Sequence, residues 1–102
     1  MALRTVAQKT VSAANTATQL TTTRTPAHAV YITANPNNTE LLWIGDSNVS
    51  TDSNATARGT PIAPGETKTF VGYSAPNAIS LHEIYFSCSD ASGAGLVTYV
   101  EV

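Results

Sequence analysis

Charge is scarce in this chain: lysine, arginine, aspartate and glutamate together make up 12% of its 102 residues, and the formal net charge is −2. Nucleic-acid binding draws on clustered Lys and Arg to neutralise phosphates. The basic residues here, Arg4, Lys9, Arg24, Arg58 and Lys68, are scattered, so no nucleic-acid partner is expected. Cysteine is scarcer still. Cys88 stands alone, which excludes an intrachain disulfide and a thiolate metal cluster. Within Ile84-Tyr85-Phe86-Ser87-Cys88 it reads as a small buried thiol rather than a reactive one. No apolar run approaches the length of a membrane span, and the N-terminus lacks the continuous apolar core of a secretory signal. No membrane partner is expected, and the initial methionine fits a protein made without export.

Patterns for chemistry are missing too. His28 and His82 lack the spacing of a metal-binding pair. His82 and Glu83 are neighbours on an expected strand, so they point to opposite faces and make a poor acid/base couple. No serine sits in a G-x-S-x-G elbow. Asp46, Asp52 and Asp90 lack the repeat of a calcium loop and read as turn caps. Gly93-Ala94-Gly95 has no helix after it, so it is not a phosphate loop. Trp43, Tyr31, Tyr73, Tyr85 and Tyr99 fit packing better than a sugar-stacking platform. Neither an enzyme nor a cofactor is expected.

What the chain has in abundance is Thr, Ser and Asn, about a third of all residues and well above ordinary usage. A surface polarised by hydroxyls and amides is unusual for a free monomer, where interspersed charges aid solubility, and suits an all-β protein packed into an assembly. The sequons at Asn37, Asn48 and Asn54 follow from Asn- and Thr-rich loops.

Strands and turns follow one another with no substantial helix. The segment from Leu3 to Val11 alternates loosely and reads either as an edge strand or as an extended arm. A short strand is expected around Thr18-Gln19-Leu20-Thr21. Ala29-Val30-Tyr31-Ile32-Thr33-Ala34 ends at the emphatic turn Asn35-Pro36-Asn37-Asn38, and Glu40 to Gly45 is expected to return as its hairpin partner. Lys68 to Tyr73, Leu81 to Cys88 and Leu96 to Val102 complete the set, with a turn across Asp90 to Gly95. The expected fold is all-β: an antiparallel β-sandwich or a jelly-roll-like, partly closed barrel of about seven strands. Residues 1–16 form the arm or edge strand, and residues 17–102 the sandwich domain.

In the last strand Leu96, Thr98, Val100 and Val102 share one face, and Val97, Tyr99 and Glu101 the other. In the strand before it His82, Ile84, Phe86 and Cys88 oppose Leu81, Glu83, Tyr85 and Ser87. Both faces carry large apolar groups. A sandwich with one solvated face per sheet does not require that, so burial of the second face against another subunit is expected.

The most specific local signal is Leu42-Trp43-Ile44-Gly45-Asp46-Ser47-Asn48-Val49-Ser50, followed by Gly59-Thr60-Pro61-Ile62-Ala63-Pro64-Gly65-Glu66. A bulky, branched strand stops at Gly45. Asp46 then caps a turn, and Pro64-Gly65 suits the central positions of a type II turn, where proline presets φ and glycine accepts a positive one. Gly45, Asp46, Pro64 and Gly65 are thus structural turn residues.

Together with Thr18-Gln19-Leu20, Val30-Tyr31-Ile32-Thr33-Ala34-Asn35 and the terminal Leu96-Val97-Thr98-Tyr99-Val100, these segments resemble small β-rich virion structural proteins of tailed bacteriophages, including capsid decoration (cement) proteins. Trp43 stands where Tyr is usual, and the loop between Val49 and Gly59 is longer. The resemblance implies a protein made in the host cytoplasm and carried on the capsid surface. It would self-associate as a trimer and clamp major-capsid subunits. Leu3, Val6, Val11, Val49, Tyr85 and Tyr99 are the expected capsid or subunit contacts. A virion-displayed carbohydrate-binding module, using Trp43 and Tyr73, and a tail or head–tail junction protein are the alternatives.

Overall fold

A computed structural model describes residues 2–51, 57–72 and 78–102. Asp52 as a turn cap, the sequon at Asn54, the middle of the long loop, and Tyr73 as strand end or stacking residue lie outside the described residues. The elements in chain order are β1 (Leu3–Thr10), β2 (Thr18–Gln19), β3 (Pro26–Ala34), β4 (Leu42–Gly45), β5 (Thr60–Ile62), β6 (Thr67–Val71), β7 (Ile79–Ser80), a 3₁₀ turn (Leu81–Glu83), β8 (Tyr85–Cys88) and β9 (Ala94–Glu101). All strand pairs are antiparallel. One sheet runs β1-β9-β3-β6, with β7 also paired to β3, and the other runs β2-β8-β4-β5. The two pack face to face as a β-sandwich, and neither closes into a barrel.

Alternation along the strands explains the packing. Val30 and Ile32 of β3 and Val97 of β9 face Leu42 and Ile44 of β4, Ile62 of β5, and Phe86 and Cys88 of β8 in one buried cluster. One close approach lies between Phe86 and Gly95. A Cβ at Gly95 would stand 2.7 Å from Cε2 of Phe86 and 3.1 Å from Cδ2 of Leu42. Two residues earlier, a Cβ at Gly93 would stand 2.5 Å from Sγ of Cys88. The glycines read from the sequence as turn residues therefore leave room for Phe86 and Cys88 of β8, and β9 begins at Ala94, inside the expected turn.

β1 is paired with β9 from Leu3 to Thr10, with an irregularity between Val6 and Lys9. It is the edge strand of the larger sheet rather than an unpaired arm. Val11 follows it into the core, donating its N–H to the carbonyl of Gly93 at 2.9 Å.

Two expectations are corrected. Glu40 to Gly45 is not the hairpin partner of β3: β4 pairs with β5 and β8, while β3 pairs with β6, β7 and β9. The Asn-Pro-Asn-Asn turn is fastened across the end of the sandwich. Asn38 gives its side-chain N–H to the carbonyl of Ala94 and accepts that residue's N–H, at 2.9 and 3.0 Å, while the N–H of Asn35 also bonds the carbonyl of Ala94 at 3.0 Å. The chain is thereby carried from one sheet to the other. Nor is the stretch from Leu81 to Cys88 one strand. Leu81 and Ile84, of opposite parity, are both buried, because the chain crosses between layers through the 3₁₀ turn, closed by the N–H of Ile84 on the carbonyl of Leu81 at 3.2 Å. One alternation cannot persist through a change of sheet.

The Pro-Gly turn behaves as expected: Gly65 has φ 82° and the N–H of Glu66 bonds the carbonyl of Ala63 at 2.9 Å. Because the Phe86–Gly95 approach leaves no room for a methyl group, Gly95→Ala should destabilise the domain by about 1–3 kcal/mol, as overpacking does. Combining it with Phe86→Leu should cost less than the sum of the two single changes. Denaturant midpoints of the two single variants and the double variant check this.

Candidate functional site

Two surfaces stand out, one on each sheet. On the larger sheet the register aligns side chains in rows across the four strands. Leu3, Val100, Ala29 and Val71 form the first row, Thr5, Thr98, Tyr31 and Thr69 the second, and Leu96, Thr33 and Thr67 the third. The positions between these rows include Val30, Ile32 and Val97, which point into the core. The rows are therefore the outer face. None of their side chains is charged. Leu3 is 66% and Val71 71% exposed, and Tyr31 and Leu96 are also exposed. The hydroxyls of Thr33 and Thr67 meet at 2.6 Å, which ties β3 to β6 across the face. Charge stays at the margin: Arg4 and Glu101, held at 3.0 Å, lie on the other parity. Their pairing raises the Arg4 pKa and lowers that of Glu101.

The second surface is a cleft of about 310 Å³ at the end of the smaller sheet, lined by Gln19, Asp46, Ser47, His82, Glu83 and Tyr85. Tyr85 pairs with Gln19 on one side and Gly45 on the other. The turn after β4 closes as expected. Asp46 accepts the N–H of Asn48 through Oδ1 at 2.9 Å, and its carbonyl accepts the N–H of Val49 at 3.0 Å. This turn lays Val49 back over the strand end: a Cβ at Gly45 would lie 3.3 Å from Val49 Cβ, and one at Gly59 2.9 Å from Val49 Cγ2. Gly59 has φ 121°, a conformation that favours glycine. The spacing of Gly45, Val49 and Gly59 in the sequence is a packing device.

The six expected contact residues are not brought together. Leu3 lies on the charge-free face. Val6 and Tyr99 pack against the core from the inner side of the same sheet, and Val11 and Val49 are buried. Tyr85 is half-buried on the outer side of the other sheet. The aromatic residues are likewise dispersed. Tyr31 and Tyr99 sit on opposite faces of the larger sheet, and Trp43 is half-buried against its strand neighbours Ser87 and Pro61. Trp43 Nε1 and Ser87 Oγ, on directly paired residues, are buried without a partner. Sequence reading missed Val71 and Leu96 as surface residues, and Gln19 and His82 as cleft residues. Only the register and the 3₁₀ turn place them.

Two further titratable groups, Cys88 and Asp90, serve structure. Burial pushes the Cys88 thiol pKa up, which keeps it protonated and unreactive. Asp90 accepts from Thr39 Oγ1 at 2.5 Å, and from the N–H and Oγ of Ser92 at 2.9 and 2.8 Å. It thus links the β3–β4 and β8–β9 connections as well as capping its own turn. Among the described residues no group of His, Cys, Asp and Glu is arranged to hold a metal ion. No family model, curated protein or solved structure matches the chain.

The hydrogen bond from Thr39, with those from Ser92, lowers the Asp90 pKa from 3.8 to about 2. A carboxylate whose folded-state pKa is depressed contributes stability above its unfolded pKa and loses it as pH falls through the folded one. Between pH 3.8 and about 2 the stability of the native chain should therefore fall more steeply than that of Asp90→Asn. Urea midpoints across that interval measure the difference.

Proposed function

We propose that this chain is a non-enzymatic structural protein of a bacteriophage virion, a capsid decoration protein made in the host cytoplasm and carried on the shell. In this reading it associates with itself, as a trimer, and with major-capsid subunits, and it works by burying sheet surface rather than by chemistry at a point. The observation that carries the reading is the uncharged outer face of the larger sheet. Interface cores are depleted of charge, whereas a solvated antiparallel face ordinarily alternates to polar residues. β-Branched threonine and valine are also stiff, so little rotamer freedom is lost when they are covered. The assignment to a shell rests on the resemblance read in the sequence of residues 42–50 and 59–66.

A shell is the setting in which such a face is most useful. Many copies at symmetry-related positions multiply a modest contact, and a clip that binds only the assembled lattice stabilises it by mass action.

The test places a charge at the centre of the face. Tyr31→Glu and Leu96→Lys should each reduce self-association in sedimentation equilibrium, and occupancy on purified shells, by about tenfold or more, the factor that corresponds to roughly 1.4 kcal/mol. Circular dichroism and the unfolding midpoint should stay as in the native chain. A native chain that is monomeric at high concentration and absent from shells overturns the proposal, as do charged variants that associate and bind unchanged. Rings of six or twelve would instead identify a head–tail junction protein.

A further inference from the structure

We infer that the cleft beside Tyr85 is a binding site for a neutral pyranose sugar. The site is independent of the assembly reading, because it lies on the smaller sheet while the uncharged face belongs to the larger one. Three features of the cleft define its chemistry.

The first is an aromatic side chain in the wall of the cleft. Tyr85 is half-buried and lines the cleft, where the face of its ring can meet the C–H surface of a sugar.

The second is a set of polar groups already held in place. Gln19 Nε2 donates to the carbonyl of His82 at 2.7 Å, which leaves the Gln19 amide oxygen as an oriented acceptor. Asp46 Oδ1 is engaged by the N–H of Asn48, leaving Oδ2 as the acceptor on that side. The His82 ring is fixed through a relay. The N–H of Thr25 donates to Ser80 Oγ at 3.1 Å, and Ser80 Oγ is bonded to His82 Nδ1. Ser80 is buried, so this bond holds the ring in place through Nδ1 and leaves Nε2 as its other polar atom. Groups held in advance lose little freedom on binding.

The third is the balance of charge and hydrogen bonding. Asp46 and Glu83 repel phosphate, sulfate and acidic sugars. The groups available are acceptors (Asp46, Glu83, Gln19), the hydroxyls of Ser47 and Tyr85, which both donate and accept, and Nε2 of His82. A neutral sugar, whose every hydroxyl both donates and accepts, matches that set. A purely apolar ligand would leave these groups unpaired. The volume of about 310 Å³ lies at the lower end of small-molecule sites and suits one sugar ring.

The experiment titrates the isotopically labelled full chain with a panel of neutral monosaccharides and disaccharides at millimolar concentrations, followed by two-dimensional NMR. At least one sugar should produce saturable shifts concentrated at the amides of Gln19, Ser47 and Tyr85. Tyr85→Ala should weaken that binding by about tenfold, the upper range of one lost ring contact. Glu83→Gln and Glu83→Lys change an exposed side chain and keep the test open if the Tyr85 variant does not fold. Each should weaken sugar binding severalfold while preserving the spectrum elsewhere. The inference is overturned if no sugar gives saturable shifts in the cleft, if folded variants bind as well as the native chain, or if calcium chloride alone reproduces the shifts.

Discussion

The contact on which the rest of the structure depends is that of the Phe86 ring against the backbone of Gly95. The ring belongs to the smaller sheet and the glycine to the larger, and no atom separates them. That approach sets the spacing of the layers at the centre of the core, where Leu42 closes in from the neighbouring strand. Interiors packed to crystal-like density tolerate such an approach only where one partner has no side chain. Gly93 repeats the arrangement against Cys88, so alternate glycines of one segment receive Phe86 and Cys88, alternate side chains of the other.

Given that spacing, the connections have to bridge the layers, and hydrogen bonds from turn residues hold them there. Asn38 mimics a strand partner for Ala94, while Asp90 gathers Thr39 and Ser92. These are short, local solutions that leave the outer faces free to differ. The larger sheet presents threonine and aliphatic side chains without charge. The smaller presents a polar cleft beside Tyr85. Assembly through the first and recognition through the second use different chemistry, and burial of one face would leave the other accessible.

Much of the strand content was legible from local pattern. The strands at Ala29 to Ala34, Leu42 to Gly45 and Thr67 to Val71 carry β-branched and aromatic residues between strong turn signals. The Pro64-Gly65 and Asp46 turns have side-chain causes that act within four residues. Pairing was less legible. The Asn35 to Asn38 turn looks the same from sequence whether the chain doubles back in one sheet or crosses to another, because the deciding bonds run to Ala94. Leu81 and Ile84 are both buried through a change of layer, which periodicity alone cannot register. Val11 and Val49, expected as contacts with other subunits, are buried instead: Val11 is bonded to Gly93, far along the chain, and Val49 folds back over Gly45 and Gly59.

The sequence by itself determined the all-β class, the positions of most strands, and a surface made polar with few charges. These follow from side-chain branching, alternation and turn chemistry, which operate between neighbours. Only the tertiary structure decided which strands pair, which apolar side chains are spent in the core, and which uncharged residues line up into one face. Those outcomes depend on the register of strands far apart in sequence. They also depend on where a glycine lets two sheets come together.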